Sequence, residues 1–494
     1  MKVKLAEGLQ LRSYQLQDAA LFWKNKRFAN LSEMGAGKTL PTAVALTAMI
    51  RSGRVQKALL VMPPILLDDW KRCFERQLDM DMKVYVYHGT QRSQALAIKA
   101  EVVLTSYQLF VNEFLTRKPK GYKLGRPFAR RVDTSGFFYR FLKTFRTAMA
   151  LDEASAIRRT ESRRCFAAQK AAELADCFYL LTGNPTPNGA INAYPLLSIL
   201  IPDAYISELH FKHEHCIMSG GPFPTVVGYK GLERLSELMS QVSIRHLKLE
   251  VMSELPAKEF VVRNLDMSPE HTDLYSSMLV DQFLQLPTGE VIDMANAFAL
   301  IMRSRQIASN PMTLGFEAKS PKFGMLEQDL EWIGADKKVV IFVEFVKTAH
   351  SVKEQCEKLG YKVAMMADTT KYNPLKELRR FQEGDANIIV VNPASGGLGV
   401  NLSVANYNIF FEYSYNLEHH DQALERSHRT GLVGPLTIVY YVTTDTIEES
   451  ILEVLQRKKT MSSDLLRDPV QLRSFVKFSE KVVSKLDPQM GIRF

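Results

Sequence analysis

Eight short apolar runs constrain this chain more than any other feature. Four come early: Ala58-Leu-Leu-Val-Met62, Val102-Val-Leu-Thr105, Ala148-Met-Ala-Leu151 and Phe178-Tyr-Leu-Leu-Thr182. Four come late: Val339-Val-Ile-Phe-Val343, Ile388-Ile-Val-Val391, Ile409-Phe-Phe411 and Thr437-Ile-Val-Tyr-Tyr-Val442. Runs of this kind predict strands covered on both faces. Helical patterns separate them, as in a parallel sheet with crossover helices. Between the two groups, over residues 190–330, helical stretches such as Gly231-Leu-Glu-Arg-Leu-Ser-Glu-Leu-Met239 dominate, with turn punctuation at Ser219-Gly-Gly-Pro-Phe-Pro224. The reading is an α/β chain of two lobes with parallel sheets, joined by helical protrusions and a linker. Its 494 residues suffice for two or three cores. The expected division is lobe 1 at 1–240, a helical protrusion and linker at 241–330, lobe 2 at 331–476 and a tail at 477–494.

Parallel sheets of this type bind ligands beyond the carboxyl ends of their strands, and the chemistry-bearing residues follow such ends. Ser32-Glu-Met-Gly35-Ala-Gly37-Lys38-Thr39 has the makings of a phosphate loop, with Ser32 where the first glycine would stand. Backbone N–H groups of Gly35 to Lys38 would wrap a phosphate at a helix N-terminus. Lys38 would neutralise its oxygens and Thr39 would bind Mg²⁺. A Gly-rich turn before a helix is the plainer alternative. Asp152 and Glu153 end a predicted strand; Asp152 would hold Mg²⁺ and Glu153 would orient the attacking water. An acidic pair can also be mere helix capping. Gln422, Arg426 and Arg429 lie at i, i+4 and i+7, one stripe of a helix. Two rigid guanidiniums there suit a transferring phosphoryl group. Together these groups predict an ATPase site divided between the lobes, with ATP and Mg²⁺ as cofactors.

The net charge of +9 has a location. Residues 117–146 hold ten Lys or Arg, among them Arg117, Lys118, Lys120, Lys123, Arg126, Arg130 and Arg131, against the single acid Asp133. Seven aromatics are interleaved, Phe137, Phe138, Phe141 and Phe145 among them. Such a stretch predicts contact with a nucleic-acid backbone; the alternative is a solvated hairpin whose aromatics pack on the lobe beneath. The five cysteines are scattered, which fits a reducing cytoplasm. No apolar run is long enough for a membrane helix, and Met1-Lys-Val-Lys lacks a secretory pattern. His210, His213, His215 and Cys216 could suggest zinc, but their spacing fits no standard framework and surface histidines are the plainer reading.

Taken in order, these motifs resemble the Swi/Snf-type branch of the superfamily 2 helicases over most of residues 9–455. Leu11-Arg-Ser-Tyr-Gln15 looks like that family's adenine-reading glutamine motif, and Glu33 to Thr39 its phosphate loop. Leu60-Val-Met-Pro-Pro64 through Trp70 resembles motif Ia, Thr105-Ser106-Tyr107 motif Ib, and Leu181-Thr-Gly-Asn-Pro185 with Asn188 motif III. Leu255-Pro-Ala-Lys258 and Leu274-Tyr275 match a stretch ahead of lobe 2. Ser395-Gly396-Gly397-Leu-Gly399-Val-Asn401-Leu resembles motif V, and Gln422, Arg426 and Arg429 fall on motif VI.

The resemblance implies two RecA-like lobes that hydrolyse ATP while stepping along DNA, with Thr105, Ser106 and Gly397 among the phosphate contacts. Duplex or branched DNA is the expected partner, and a monomer serving replication, recombination or repair the expected form. The compact chain resembles a bacteriophage or bacterial member. Departures are Ser155 where histidine is usual, Asn184 for threonine and Leu432 for glutamine. An arginine expected near 362–370 is also missing. They bear on coupling more than on ATP binding. An RNA helicase, a restriction-system motor and a DNA-binding scaffold with a degenerate ATPase are the rival readings.

Overall fold

Successive residues of the early strands enter opposite cores. In Lys57–Met62, Leu59 and Val61 join one buried cluster, while Ala58, Leu60 and Met62 join another. This is the two-residue period of a strand with helices on both faces, and it explains why the runs are apolar without alternation. The computed structural model describes residues 3–78, 81–116, 131–186, 189–220, 224–252, 255–281, 283–285, 291–293, 297–393, 400–414, 417–429, 431–453 and 455. The chain divides into two units between residues 253 and 254.

In the first unit, helix α1 (Ser13–Lys24) precedes strand β1 (Arg27–Asn30), and helix α2 (Thr39–Arg51) follows the phosphate loop. The strands β2 (Lys57–Met62), β3 (Val84–Tyr87), β4 (Val102–Ser106), β5 (Thr147–Asp152) and β6 (Cys177–Leu181) follow. A small antiparallel pair, β7 (Cys216–Met218) and β8 (Val226–Tyr229), and the short β9 (Ser243–Ile244) complete the unit's strands among the described residues. The main sheet has the order β3-β4-β2-β5-β6-β1-β9 and is parallel throughout. It places the ends of β1 and β5 two strands apart, with β6 between them, so the phosphate loop and the acidic pair emerge on the same edge.

The second unit carries β10 (Lys258–Leu265), a hairpin of β11 (Phe283–Gln285) and β12 (Val291–Asp293), and then β13 (Val339–Phe342) and β14 (Val363–Met365). After these come β15 (Ile388–Val391), β16 (Tyr407–Phe410) and β17 (Leu436–Thr443). Its parallel sheet runs β10-β17-β16-β13-β15-β14. Val339, Ile341, Ile388, Val390, Ile409 and Tyr441 share one core. On the sheet's other face, Phe410 stacks on Phe342 and Tyr440, with centroids 4.6 and 4.9 Å away.

Two stretches between and beside the apolar runs take defined places in the fold. The stretch taken as lobe linker contributes β9 to the first sheet and the eight-residue β10 to the second. β10 is an edge strand whose residues are mostly half-buried or exposed, so it carries charges that mask its pattern. Among the described aromatics of the basic stretch, the alternative of packing on the lobe holds for three. Phe137, Phe138 and Phe141, on the helix Phe137–Thr144, are buried against Tyr87, Phe110 and Phe114.

Candidate functional site

β1 ends in Asn30, fully buried, and the loop beyond it is held from several sides. Asn30 donates to Asp18 Oδ2 at 2.7 Å and accepts from the Ser32 N–H at 3.0 Å. His246 Nε2 lies 2.7 Å from the other Asp18 oxygen, and the His246 N–H donates to Ser32 Oγ at 3.0 Å. Glu33 accepts from the Lys248 N–H at 2.9 Å. Ser32 thus replaces glycine with a hydroxyl that ties the loop to residues 246–248. Gly35 and Gly37 have φ of 77° and 71°, the left-handed region where a side chain is strained. A Cβ at Gly37 would lie 2.6 Å from Gln15 Nε2. Lys38 Nζ donates to the Ser32 and Glu33 carbonyls at 2.9 and 3.0 Å, folded over its own loop.

Gln15, expected to read adenine, spends both ends of its amide locally. It accepts from the Arg12 N–H at 3.0 Å and donates to the Gly37 carbonyl at 3.1 Å. Tyr14 donates to the Ala36 carbonyl at 3.0 Å. The glutamine motif therefore braces the phosphate loop. Gly183, at the end of β6, also approaches the loop: a Cβ there would meet Met34 Cγ at 2.7 Å.

Asp152 closes β5. Trp70 Nε1 donates to its Oδ2 at 2.7 Å, and the Glu153 N–H donates to its Oδ1 at 2.9 Å. Burial raises the Asp152 carboxyl above its ordinary range, while the Trp70 bond and the charge of Lys38 pull it back down. Glu153 sits at φ 51°, ψ 54°. Left-handed backbone at a non-glycine residue is costly and concentrates at functional positions. The Tyr107 hydroxyl donates to the Asp152 carbonyl at 2.9 Å. Burial, then the charges of Asp152 and Glu153, hold that phenol well above its ordinary pKa, so it remains a donor. Trp70 and Tyr107 were legible only as parts of motifs expected to touch DNA; here they brace the acidic pair.

In the second unit the helix Leu417–Ser427 carries Gln422 and Arg426, both buried. The helix stops before Arg429, which corrects the reading of three residues on one stripe. At its last residue Ser427 Oγ donates to Asn408 Oδ1 at 2.9 Å, and just past it His428 Nε2 meets the Pro256 carbonyl at 2.8 Å. These side chains turn inward and the backbone leaves the helix. Arg426 is 2% exposed and donates to the Pro393 carbonyl at 3.3 Å. Its Nε and Nη1 meet no acceptor among the described residues. Burial, then the charge of Arg429, lowers its pKa to about 10.

The expected nucleic-acid contacts fare unevenly. Arg117, Lys118, Lys120, Lys123, Arg126, Arg130 and Gly397 lie outside the described residues, as do Asn188 and the tail. Arg131 is exposed, and its carbonyl accepts from the Thr116 N–H at 3.0 Å, at the stem of the basic stretch. Thr105 is fully buried with its hydroxyl on the Tyr87 carbonyl at 2.9 Å, and Ser106 caps the helix Tyr107–Phe114. The Thr105 hydroxyl thus donates inside the unit, and Ser106 Oγ accepts from the Leu109 N–H at 3.4 Å. His215, read as a surface residue, is buried with Nε2 2.7 Å from the Tyr205 hydroxyl; His210 pairs with Glu214 at 3.1 Å. Among the described residues no group of three or more His, Cys, Asp or Glu is arranged to hold a metal, and no helix is long and apolar enough to cross a membrane.

A phosphate loop and an acidic pair on one edge of a parallel sheet, with a second parallel-sheet unit following, define the class: a superfamily 2 ATPase of two RecA-like lobes. More narrowly, the chain belongs to the SNF2-related family. The SNF2-related domain matches residues 20–313, and the helicase conserved C-terminal domain matches 321–431. Among its relatives is the human SWI/SNF-related matrix-associated actin-dependent regulator of chromatin subfamily A member 1. That protein is 24% identical over 502 residues, 93% of this chain and 44% of the relative. An uncharacterised ATP-dependent helicase of Mycoplasma genitalium is 24% identical over 468 residues, 92% of this chain and 41% of the relative. The chain thus spans less than half the length of these curated relatives. The Sulfolobus solfataricus SWI2/SNF2 ATPase core, solved in complex with dsDNA, is similar at a TM-score of 0.43 and 20% identity, with 98% of each chain covered.

Proposed function

We propose that the protein couples ATP hydrolysis to movement along DNA, acting on duplex DNA and on forked or branched DNA in replication, recombination or repair. The observation that carries this reading is the emergence of the Lys38 loop and the Asp152-Glu153 pair on one edge of the same parallel sheet. Lys38 and Asp152 come from the ends of β1 and β5, and the lysine's charge reaches the carboxylate. The residues fit a magnesium-bound nucleoside triphosphate. Gly35 and Gly37 take left-handed backbone in the loop, and Thr39 opens a 13-residue helix whose N-terminus faces it. Lys38 is already positioned over the loop's carbonyls, and its ammonium would exchange them for phosphate oxygens. Thr39 and Asp152 would hold Mg²⁺, and Glu153 would orient and deprotonate a water. The triphosphate supplies a reactive phosphoryl bond; the chain supplies position and charge. In the second unit, Arg426 is buried with Nε and Nη1 unspent among the described residues, the chemistry suited to a phosphoryl group.

Five free cysteines support a reducing compartment such as the cytoplasm, and the basic composition supports a nucleic-acid partner. The test is ATP turnover with single-stranded, duplex and forked DNA, and with RNA, while strand release is followed in parallel. Turnover stimulated by DNA and lost in Lys38→Ala is expected; Glu153→Gln is expected to bind ATP without hydrolysing it. Turnover that survives Lys38→Ala, or that only RNA stimulates, would refute the reading.

A further inference from the structure

A cavity of about 490 Å³ opens on the first unit beside the acidic pair. Four arginines line it: Arg158, Arg159, Arg163 and Arg164. The side chains of Gln108 and Asn112 and the hydroxyl of Ser155 add neutral polar groups, and among the described residues no acid lines it. Arg159 and Arg164 are exposed and Arg158 is half-buried. Two arginines also open the helix Arg163–Ala172, whose first turn holds no acid. Cations at the positive end of a helix are unfavourable unless an anion arrives to offset them. A concentration of cations in a concave, polar setting is how proteins hold phosphate groups.

The cavity also has informative neighbours. The Arg163 guanidinium donates to the Thr116 carbonyl at 2.9 Å, so it fastens the stem from which the basic stretch departs. Arg164 lies over the Tyr107 ring, 5.9 Å from its centroid, and the Tyr107 hydroxyl holds the Asp152 carbonyl. Ser155 belongs to the 3₁₀ turn Ala154–Ile157 that directly follows the left-handed Glu153.

We propose that this arginine-lined cavity is a binding site for the phosphodiester backbone of DNA, and that its occupancy is passed to Glu153 through the turn that Ser155 shares with the cavity wall. This deepens the motor reading and rests on it. A phosphate drawn in by Arg158 and Arg159 pulls on the residues immediately after the strained Glu153. The coupling that a histidine would otherwise supply at position 155 is taken over by this turn.

The experiment measures equilibrium binding of a duplex across a range of salt, without nucleotide, for the full chain and two double variants. Arg159→Gln with Arg164→Gln removes two phosphate contacts, so the slope of log K against log salt should shrink by roughly 1.8. Arg159→Lys with Arg164→Lys should restore most of that slope. In ATP turnover, the glutamine variant should need more DNA for half-maximal stimulation and the lysine variant less than that. Arg158→Gln should lower the turnover reached at saturating DNA. An unchanged slope in the glutamine variant overturns the site. So does a lysine variant as weak as the glutamine one, because that outcome marks the arginines as architectural. A slope change seen with RNA and absent with DNA overturns the ligand class. Saturated turnover unaffected by Arg158→Gln overturns the coupling. Binding without nucleotide is read separately from turnover, so a chain that binds DNA through the cavity and fails to hydrolyse ATP sinks the motor reading alone.

Discussion

Replacing Trp70 with phenylalanine isolates one hydrogen bond at the centre of the site. The indole is 1% exposed, and its Nε1 lies 2.7 Å from Asp152 Oδ2. Phenylalanine keeps most of the aromatic packing against Phe74, 6.1 Å away between centroids, and removes the donor. A hydrogen bond to a charged partner contributes about 1.5–3 kcal/mol. At about 1.4 kcal/mol per decade, its loss weakens whatever depends on the oriented carboxylate by roughly ten- to a hundredfold. Partners that orient a metal-binding carboxylate cost about the same range when removed. The bond also lowers the Asp152 carboxyl against the effect of burial, so removing it moves that group further up. Because the carboxylate must be ionised to hold a cation, the acid limb of the pH–rate profile should move to higher pH in Trp70→Phe. The assay is ATP turnover titrated with Mg²⁺ at several pH values, with thermal unfolding recorded alongside. A variant that folds normally yet keeps the parent's Mg²⁺ half-saturation and acid limb would refute the bracing role.

Three further outcomes are expected. Gly37→Ala should lower stability by about 1–3 kcal/mol from backbone strain alone. Its Cβ also displaces the Gln15 amide, so nucleotide affinity measured by fluorescence should fall with stability. Lys322 is fully buried, with Nζ 2.6 Å from Glu448 and 2.7 Å from the Phe411 carbonyl. Lys322→Met should therefore cost about 3–5 kcal/mol in denaturant unfolding, and adding Glu448→Gln should recover part of it. Arg429→Ala should retain ATP binding and lose stimulated turnover by about a thousandfold or more; stopped-flow nucleotide binding and steady-state turnover separate the two.

The parallel sheets were legible because strands covered on both faces must be apolar throughout, and every early and late run became a strand. β1 was missed: Arg27-Phe-Ala-Asn30 is short and itself begins and ends in polar residues, and β6 and β9 cover it on either side. β10 was missed because an edge strand tolerates charge. Asp152, Glu153 and Lys38 were legible from residue type and spacing, since few arrangements bring phosphate-binding chemistry to strand ends. The bracing set of Asp18, Asn30, Trp70, Tyr107 and His246 was not. Its members touch across 228 positions in the case of Asp18 and His246, and nothing local marks such a contact. The end of the helix at Ser427 was missed for a similar reason, because Ser427 finds its partner on β16 and His428 on the Pro256 carbonyl, 172 positions away.

The pairing of β10 with β17 joins Lys258 to Leu436, 178 positions later. During synthesis the first unit can close its own sheet as soon as β9 emerges, because β1 and β6 are already present to receive it. The second unit has no such freedom. Until the ribosome delivers β17, β10 has no neighbour and β16 presents an open hydrogen-bonding edge, the kind of surface that recruits stray strands. Late ribosomal stalling or premature termination between the two elements would leave a first unit with a closed sheet attached to a sticky, unfinished one, so completion of the second sheet waits on β17, the last strand among the described residues.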